Sequence, residues 1–259
     1  MLRPQTKINT KLGALVNQLE RYRPVLTGNP ELTVTGISMN SKTVHPGDVY
    51  VAVGGARYHG ADYINQALDA GAVAVLTANS GVERIPPGLT HIVVDDVRSA
   101  LADAASFIYR NNTAATPCIY GVTGTNGKTT TTYFLNAIMA ALDYKTGLIG
   151  TIETRINGVA TPAEFTTPEA PELHSLVARM REAGVETVAM EVSSHAMDYR
   201  RAFALRYQVA GFTNLTQDHL DLHGSMDEYF DAKALLFQSD RSVSQVITIN
   251  GGPEPQWGQ

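Results

Sequence analysis

The ten residues Gly121-Val-Thr-Gly-Thr-Asn-Gly-Lys-Thr-Thr130 take over from an apolar run, Cys118-Ile-Tyr-Gly-Val122, and lead into a stretch where Phe134, Ile138 and Leu142 recur at helical spacing. A strand that passes through a glycine loop into a helix restricts the fold more than any other feature of the chain. The strand must lie in a sheet and the helix must pack back across it. The common phosphate-cradling spacing G-x-x-x-x-G-K-[ST] would require glycine at position 122, where this chain has Val122. In such loops successive backbone N–H groups and the helix N-terminus converge on a polyphosphate, while a lysine neutralises it and a threonine hydroxyl can hold magnesium. Lys128 and Thr129 fit those two roles. The displaced glycine argues against the commonest nucleotide-hydrolysing subtypes, not against phosphate binding.

The same alternation of strand and helix runs through the whole chain. In the first part, apolar strands are expected over residues 47–53, 72–77 and 91–95, and helices over 61–70 and 98–109, the latter with Leu101, Ala105 and Ile108 on one face. The polar stretch Asn111-Asn-Thr-Ala-Ala-Thr-Pro117 is the expected boundary between domains 1–113 and 114–259. In the second part, a helix over 171–182 closed by Gly184, strands over 185–192, 209–215 and 245–250, and a helix over 226–237 complete the rhythm. The fold class is α/β, with a doubly wound parallel sheet in the second part, whose ligands sit beyond the carboxyl ends of the strands. The unusual residues meet that rule: the glycine loop, Glu191-Val-Ser-Ser-His195 and Asn214-Leu-Thr-Gln-Asp-His219 all follow apolar runs.

A formal charge of -5 and no Lys/Arg-rich run give no footprint for a nucleic acid or an anionic membrane surface. No segment approaches the roughly 20 apolar residues needed to cross a bilayer, and the N-terminus has no apolar signal core, so the expected place is the cytoplasm. Cys118 is the only cysteine, which excludes an internal disulfide and suits a reducing compartment; its apolar neighbours suggest a buried small hydrophobe.

Three further stretches carry chemistry. Glu191 ends an apolar strand, where a carboxylate is costly to bury without a cation or proton, so it is either a magnesium ligand or water-positioning group, or the partner of an arginine such as Arg200 or Arg201. Asp218-His-Leu-Asp-Leu-His223 offers two carboxylates and two imidazoles; no second His or Cys cluster completes a zinc site, so magnesium with a nucleotide is the better fit, with His219 the nearer contact. Lys233 lies in a helix opened by the capping box Ser225-Met-Asp-Glu228, and its spacing alone places it on a solvated surface.

Together these motifs resemble the Mur ligases of peptidoglycan synthesis and, within them, the MurE family of UDP-N-acetylmuramoyl-tripeptide synthetases. GVTGTNGKTT looks like that family's own phosphate loop. Phe165-Thr-Thr-Pro168, Met190-Glu-Val-Ser-Ser-His195, the block from Phe212 to Gly224 and Asp231-Ala-Lys-Ala-Leu235 follow in the family's order. The resemblance implies an ATP-dependent ligase that phosphorylates the carboxylate of UDP-N-acetylmuramoyl-L-alanyl-D-glutamate, after which the amine of diaminopimelate or lysine attacks the acyl phosphate. Gly124, Thr125, Asn126, Gly127, Lys128, Thr129 and Thr130 would bind ATP, and Thr129, Glu191 and His219 would serve magnesium. Lys233 would be the lysine that the family carbamylates, which makes it anionic beside the metal. Lys128, Glu191, His219 and Lys233 would thus form the catalytic set. Ser41, Thr166, Thr167, Ser193, Tyr199 and Arg201 would hold the muramoyl-peptide substrate, with Tyr199 standing where some members carry glutamine. The uridine end would meet Asn40-Ser-Lys42 and the loop over 54–60, although the family usually shows Asp-Ser-Arg where this chain has Asn-Ser-Lys, a loss of one charge and of one two-pronged donor.

Family members continue well past position 259, into a domain that binds the amino acid. The expectation is therefore an incomplete central domain, and a monomeric chain that by itself does not ligate. A second reading is a UDP-sugar or nucleotide-binding module without catalysis. A third, an unrelated phosphate-loop enzyme, requires the other blocks to be accidental.

Overall fold

The computed structural model describes residues 2–55, 57–218, 223–238 and 240–247. These form two compact units: Met1–Asn111 with Ala170–Ala178, and Asn112–Glu169 with Arg179–Gln259. The first unit therefore also takes in most of the helix expected over 171–182.

In the first unit the strands β1 (Thr10–Lys11) and β3 (Thr33–Val34) pair with each other, while β2 (Val25–Thr27), β4 (Gly36–Ser38), β5 (Asp48–Ala52), β6 (Ala74–Thr77) and β7 (His91–Val93) form a sheet in the order β2-β7-β6-β5-β4. The four strands β4 to β7 are parallel and β2 joins antiparallel at the edge. Every residue of β5 and β6 is buried, as expected of parallel strands covered on both faces. Asp48 is among them, and its charge is met by two hydrogen bonds from the Arg3 guanidinium, 2.7 and 2.6 Å, and one from the His45 amide, 2.8 Å. Short helices α1 (Leu12–Gln18) and α2 (Ile64–Asp69) accompany the sheet, together with α3 (Val97–Ile108), which buries Leu101, Ala105 and Ile108 and is capped by Asp96, whose side chain accepts from the Ser99 amide at 3.0 Å.

The second unit holds, among the described residues, a seven-stranded sheet in the order β11-β10-β9-β12-β8-β13-β14. Its strands are β8 (Cys118–Thr123), β9 (Thr146–Ile149), β10 (Glu153–Ile156), β11 (Val159–Pro162), β12 (Thr187–Glu191), β13 (Tyr207–Phe212) and β14 (Ser242–Ile247). The five strands β9, β12, β8, β13 and β14 run parallel, and a hairpin of β10 and β11 closes one edge antiparallel. That hairpin turns at Asn157 and Gly158, both at positive φ (48° and 82°), the backbone that a two-residue turn matching the strand twist demands. The helices α4 (Lys128–Ala141), α6 (Ser194–Asp198) and α7 (Met226–Ala234) lie in this unit, and α5 (Ala170–Glu182) contributes its last residues from Arg179. Strand β8 is central: the chain leaves it for β9 on one side and later arrives at β13 on the other, which makes its loop a topological switch point.

One expectation is corrected here, and one apolar stripe on a helix that forms as expected is exposed. Cys118 is exposed, because it opens β8 at the end of the strand opposite the glycine loop, and apolar sequence neighbours do not bury a strand's first residue. Phe134, Ile138 and Leu142 do fall on one flank of α4 and just beyond it, yet they are 65, 55 and 62 % exposed. Buried Thr132 and half-buried Asn136 hold the sheet side instead, the Asn136 amide donating to Gly147 O at 3.1 Å. Helical spacing locates a stripe but does not say which flank meets the sheet.

The centre of the sheet leaves no room at Gly121. A Cβ there would lie 2.6 Å from the ring of Tyr207, a fully buried side chain whose hydroxyl donates to Ala202 O at 3.0 Å. Gly121→Ala is therefore expected to cost about 1–3 kcal/mol through overpacking, read as a lower midpoint in chemical denaturation followed by near-UV circular dichroism. An unchanged midpoint would show that the ring yields freely.

Candidate active site

Parallel pairing sets the carboxyl ends of β8, β12, β13 and β9 side by side. Val122 pairs with Glu191, Thr123 with Phe212, and Met190 with Ile149. The residues that follow border a cavity of about 590 Å³ lined by the loop 125–129, Thr151, Phe165, Thr166, Thr167, Glu191, Ser193, His195 and Arg201. Every one of these belongs to the second unit.

The glycine loop is clamped by the segment after β13. The Thr125 amide donates to Asn214 O (2.9 Å), the Asn126 amide to Asn214 Oδ1 (3.0 Å), and the Thr216 amide to Thr125 Oγ1 (3.0 Å). Gly124, at φ 136°, could not be another residue, since a Cβ would fall 2.0 Å from Thr213 Oγ1. Gly127, at φ 87°, caps α4 in the left-handed region. The Thr131 amide bonds back to Gly127 O, so the amides of Lys128, Thr129 and Thr130 form a helix N-terminus without intrahelical acceptors. Lys128 folds over the loop, its Nζ donating to Gly124 O (2.9 Å) and Thr125 O (2.8 Å). Burial lowers its pKa, while Glu191 and Asp218 oppose that by favouring the ammonium.

Glu191 is completely buried at the end of β12. Its Oε2 accepts from Thr129 Oγ1 at 2.9 Å and from Thr151 Oγ1 at 3.1 Å, and its Oε1 accepts from the Thr151 amide at 2.9 Å. The arginine alternative fails: Arg201 Nε sits 2.8 Å from Glu169 Oε1, and Arg200 lies over the Phe203 ring. A buried carboxylate held by two hydroxyls and an amide beside a helix N-terminus suits a hard cation bridging to phosphate oxygens, because hydroxyl and carboxylate oxygens are what magnesium accepts. The loop amides and Lys128 suit the phosphates themselves.

Lys233 departs furthest from its expected place. It is buried on α7, with Nζ donating to Gly124 O at 2.9 Å and 4.2 Å from the centre of the Tyr229 ring. Burial, then the positive charge of Lys128, pull its pKa down to about 7, against the opposing charge of Asp218. Helical spacing cannot reveal this, because α7 packs through Tyr229, Ala232 and Lys233 onto structure that is remote in sequence.

The other candidates divide. Thr166 Oγ1 stands 3.1 Å from Thr151 Oγ1 at the cavity wall. The Thr167 hydroxyl donates to the Glu191 carbonyl (2.9 Å) and accepts from the Ser193 amide (3.2 Å), which braces the turn after β12. Ser193 caps α6, its Oγ accepting from the Ala196 amide at 3.1 Å. Arg201 is stacked between Phe165 and Tyr199, at 5.6 and 5.4 Å from the ring centres. Ser41 lies in the first unit, buried, donating to Gln66 Oε1 at 2.7 Å, and Asn40 Oδ1 accepts from the Lys42 amide at 3.0 Å. His219 lies outside the described residues. Among the described residues no group of three or more His, Cys, Asp or Glu is placed to hold a metal ion, and no helix is long and apolar enough to cross a membrane.

The model of the Mur ligase middle domain matches residues 122–254, which include the loop, Glu191 and Lys233. This chain belongs to the Mur ligase family. A second model, "Mur ligase family, catalytic domain", matches residues 33–109. Among curated relatives, a UDP-N-acetylmuramoyl-L-alanyl-D-glutamate--2,6-diaminopimelate ligase of Streptomyces coelicolor is 44% identical over 249 residues, 96% of this chain and 48% of its own length. A UDP-N-acetylmuramyl-tripeptide synthetase of Leifsonia xyli is 47% identical over 227 residues, 87% of this chain and 43% of its own. The chain spans about half the length of the curated relatives it matches. Among solved structures, a UDP-N-acetylmuramoyl-L-alanyl-D-glutamate--2,6-diaminopimelate ligase superposes with a TM-score of 0.75 at 24% identity, covering 92% of this chain and 47% of that one. A MurF ligase of Thermotoga maritima in complex with ADP gives 0.53 at 23% identity, covering 81% and 45%. These two show a common fold.

In this member of the Mur ligase family the sequence did not assign Thr151, Phe165 and His195 to the site, although all three line the cavity. Thr151 had a usable signal, since Gly150 and Thr151 follow the apolar run Thr146-Gly-Leu-Ile149 as the other site residues follow theirs.

The burial of Lys233 gives a pH signature. Between about pH 7 and its ordinary value of 10.5 the unfolded chain holds a proton that the native state does not, so stability rises with pH across that window, at up to about 1.4 kcal/mol per pH unit. Lys233→Met is expected to remove that slope, so its stability relative to the parent is highest near pH 7 and declines toward pH 10. Urea denaturation of both proteins across this range measures it, and parallel profiles would contradict the burial.

Proposed function

We propose that this chain is the nucleotide- and muramoyl-peptide-binding part of a MurE-type ligase, an ATP-dependent enzyme that adds diaminopimelate or lysine to UDP-N-acetylmuramoyl-L-alanyl-D-glutamate in the cytoplasm. The single observation that carries it is the buried Glu191 carboxylate, held against Thr129 at the start of the helix that Lys128 opens. Relatives named for this reaction, 40–47% identical to the chain, support the choice of substrate. On this reading residues 114–259 bind ATP, residues 1–113 bind the uridine end, and the protein works as a monomer.

Each residue's part follows from its chemistry. The amides of residues 127–130 and the Lys128 ammonium bind the β- and γ-phosphates, offsetting charge that builds up as the bond to the γ-phosphorus breaks. A magnesium ion, when bound, would supply further neutralisation of the phosphates; Thr129 and Glu191 would hold it, and His219 and a carbamylated Lys233 would serve a second ion. The pKa of about 7 leaves Lys233 with a neutral amine fraction at physiological pH, the form that carbon dioxide can carbamylate. Thr166, Thr167, Ser193, Tyr199 and Arg201 orient the glutamyl carboxylate of the dipeptide, and Arg201 is already stacked on Phe165 and Tyr199 for that role. Ser41 serves the uridine end.

The test is calorimetric titration with magnesium and a non-hydrolysable β,γ-imido analogue of ATP, then with the UDP-muramoyl dipeptide. The parent should bind both. Glu191→Gln keeps the shape but removes the charge, and should weaken the magnesium-dependent nucleotide binding by about tenfold or more while leaving magnesium-free binding nearly unchanged. A folded parent that binds neither ligand would refute the proposal.

A further inference from the structure

Thr151 makes more contacts in the cavity than its place in the sequence suggests. Its amide donates to Glu191 Oε1 at 2.9 Å, and its hydroxyl lies 3.1 Å from Glu191 Oε2 and 3.1 Å from Thr166 Oγ1. One hydroxyl carries one proton, and Thr151 is the donor in both contacts, so Glu191 Oε2 and Thr166 Oγ1 compete for the same proton. The result is a shared donor: Thr151 donates either to Thr166 or to Glu191, while Thr129 donates to the same Glu191 oxygen. Gly150 completes the seat, because a Cβ there would lie 2.4 Å from Glu191 Oε1. The two residues after β9 thus fix one rotamer of the carboxylate, through a residue that is itself exposed at the cavity wall and adds little to the core.

We propose that Thr151 is a positioning residue that holds the Glu191 carboxylate toward Thr129 and, through Thr166, couples occupancy of the muramoyl-peptide side of the cavity to metal–nucleotide binding on the other. The proposal rests on the ligase reading above. A substrate group that binds Thr166 and alters its oxygen as an acceptor shifts the Thr151 proton between Thr166 and Glu191. The donation from Thr151 to Glu191 then changes in strength, and so does the affinity of the metal site. Linkage makes the coupling reciprocal: each ligand changes the affinity of the other by the same factor.

The experiment uses Mn2+ as the probe, followed by electron paramagnetic resonance with the β,γ-imido ATP analogue, with and without UDP-N-acetylmuramoyl-L-alanyl-D-glutamate. Thr151→Val keeps the backbone amide and the volume but loses the hydroxyl, and should weaken Mn2+ binding about tenfold and bring the coupling factor close to one. Thr151→Ser restores the hydroxyl and should recover both values to within about threefold. Gly150→Ala should weaken Mn2+ by displacing the carboxylate, a result independent of the Thr151 side chain. Thermal midpoints of the Thr151 variants within a few degrees of the parent separate positioning from folding. Parental Mn2+ affinity and coupling in Thr151→Val would overturn this proposal alone, as would a Thr151→Ser protein as impaired as the valine variant. A parent that binds no Mn2+–analogue complex overturns the ligase reading and this inference with it.

Discussion

The burial of one carboxylate at the end of a parallel strand governs the rest of the second unit. Glu191 has no exposure and, among the described residues, no arginine beside it, and its charge is met by hydrogen bonds and by the field of Lys128. Such a group is costly unless its donors are fixed in place. The donors come from the loops after β8 and β9, and the register of β12 against its two neighbours brings them to the same level. The sheet is therefore the device that makes the carboxylate tolerable, and it sets that carboxylate in the wall of the cavity.

The electrostatics of the cavity follow from the same crowding. Lys128 and Lys233 both donate to Gly124 O, which brings two cations to one backbone carbonyl, and each lowers its pKa chiefly through burial. Asp218 and Glu191 oppose that for Lys128, while only Asp218 does so for Lys233, which already suffers the repulsion of Lys128. The pair is thus split into an ammonium favoured by two carboxylates and an amine whose pKa falls to about 7. Two lysines of identical chemistry acquire different roles from their surroundings.

Much of this arrangement could be read in the chain before folding was considered. The strand-loop-helix around Gly124 and Gly127, the apolar run ending in Glu191 and the capping box before Lys233 were legible, because each is a local pattern tied to local geometry. The exposure of Cys118 and of the Phe134 stripe was not, because exposure depends on which face meets the sheet. The hairpin of β10 and β11 carried its signal in Asn157-Gly158, whose positive φ angles the sequence permits. Thr151 carried only the weaker signal of following an apolar run.

What the sequence determined by itself is the set of chemical groups and their order along the chain: a glycine loop with a lysine at a helix start, a carboxylate at a strand end, a lysine in a capped helix, and membership in the Mur ligase family. What only the tertiary structure decided is which of these groups touch. Thr129 and Glu191 are 62 residues apart and Gly124 and Lys233 are 109 apart, yet each pair is joined by a 2.9 Å hydrogen bond. The physical reason is that strand register and helix packing act between distant segments. Local pattern names the groups, while the pairing of β8, β9, β12 and β13 sets the distances on which their pKa values and ligand affinities depend.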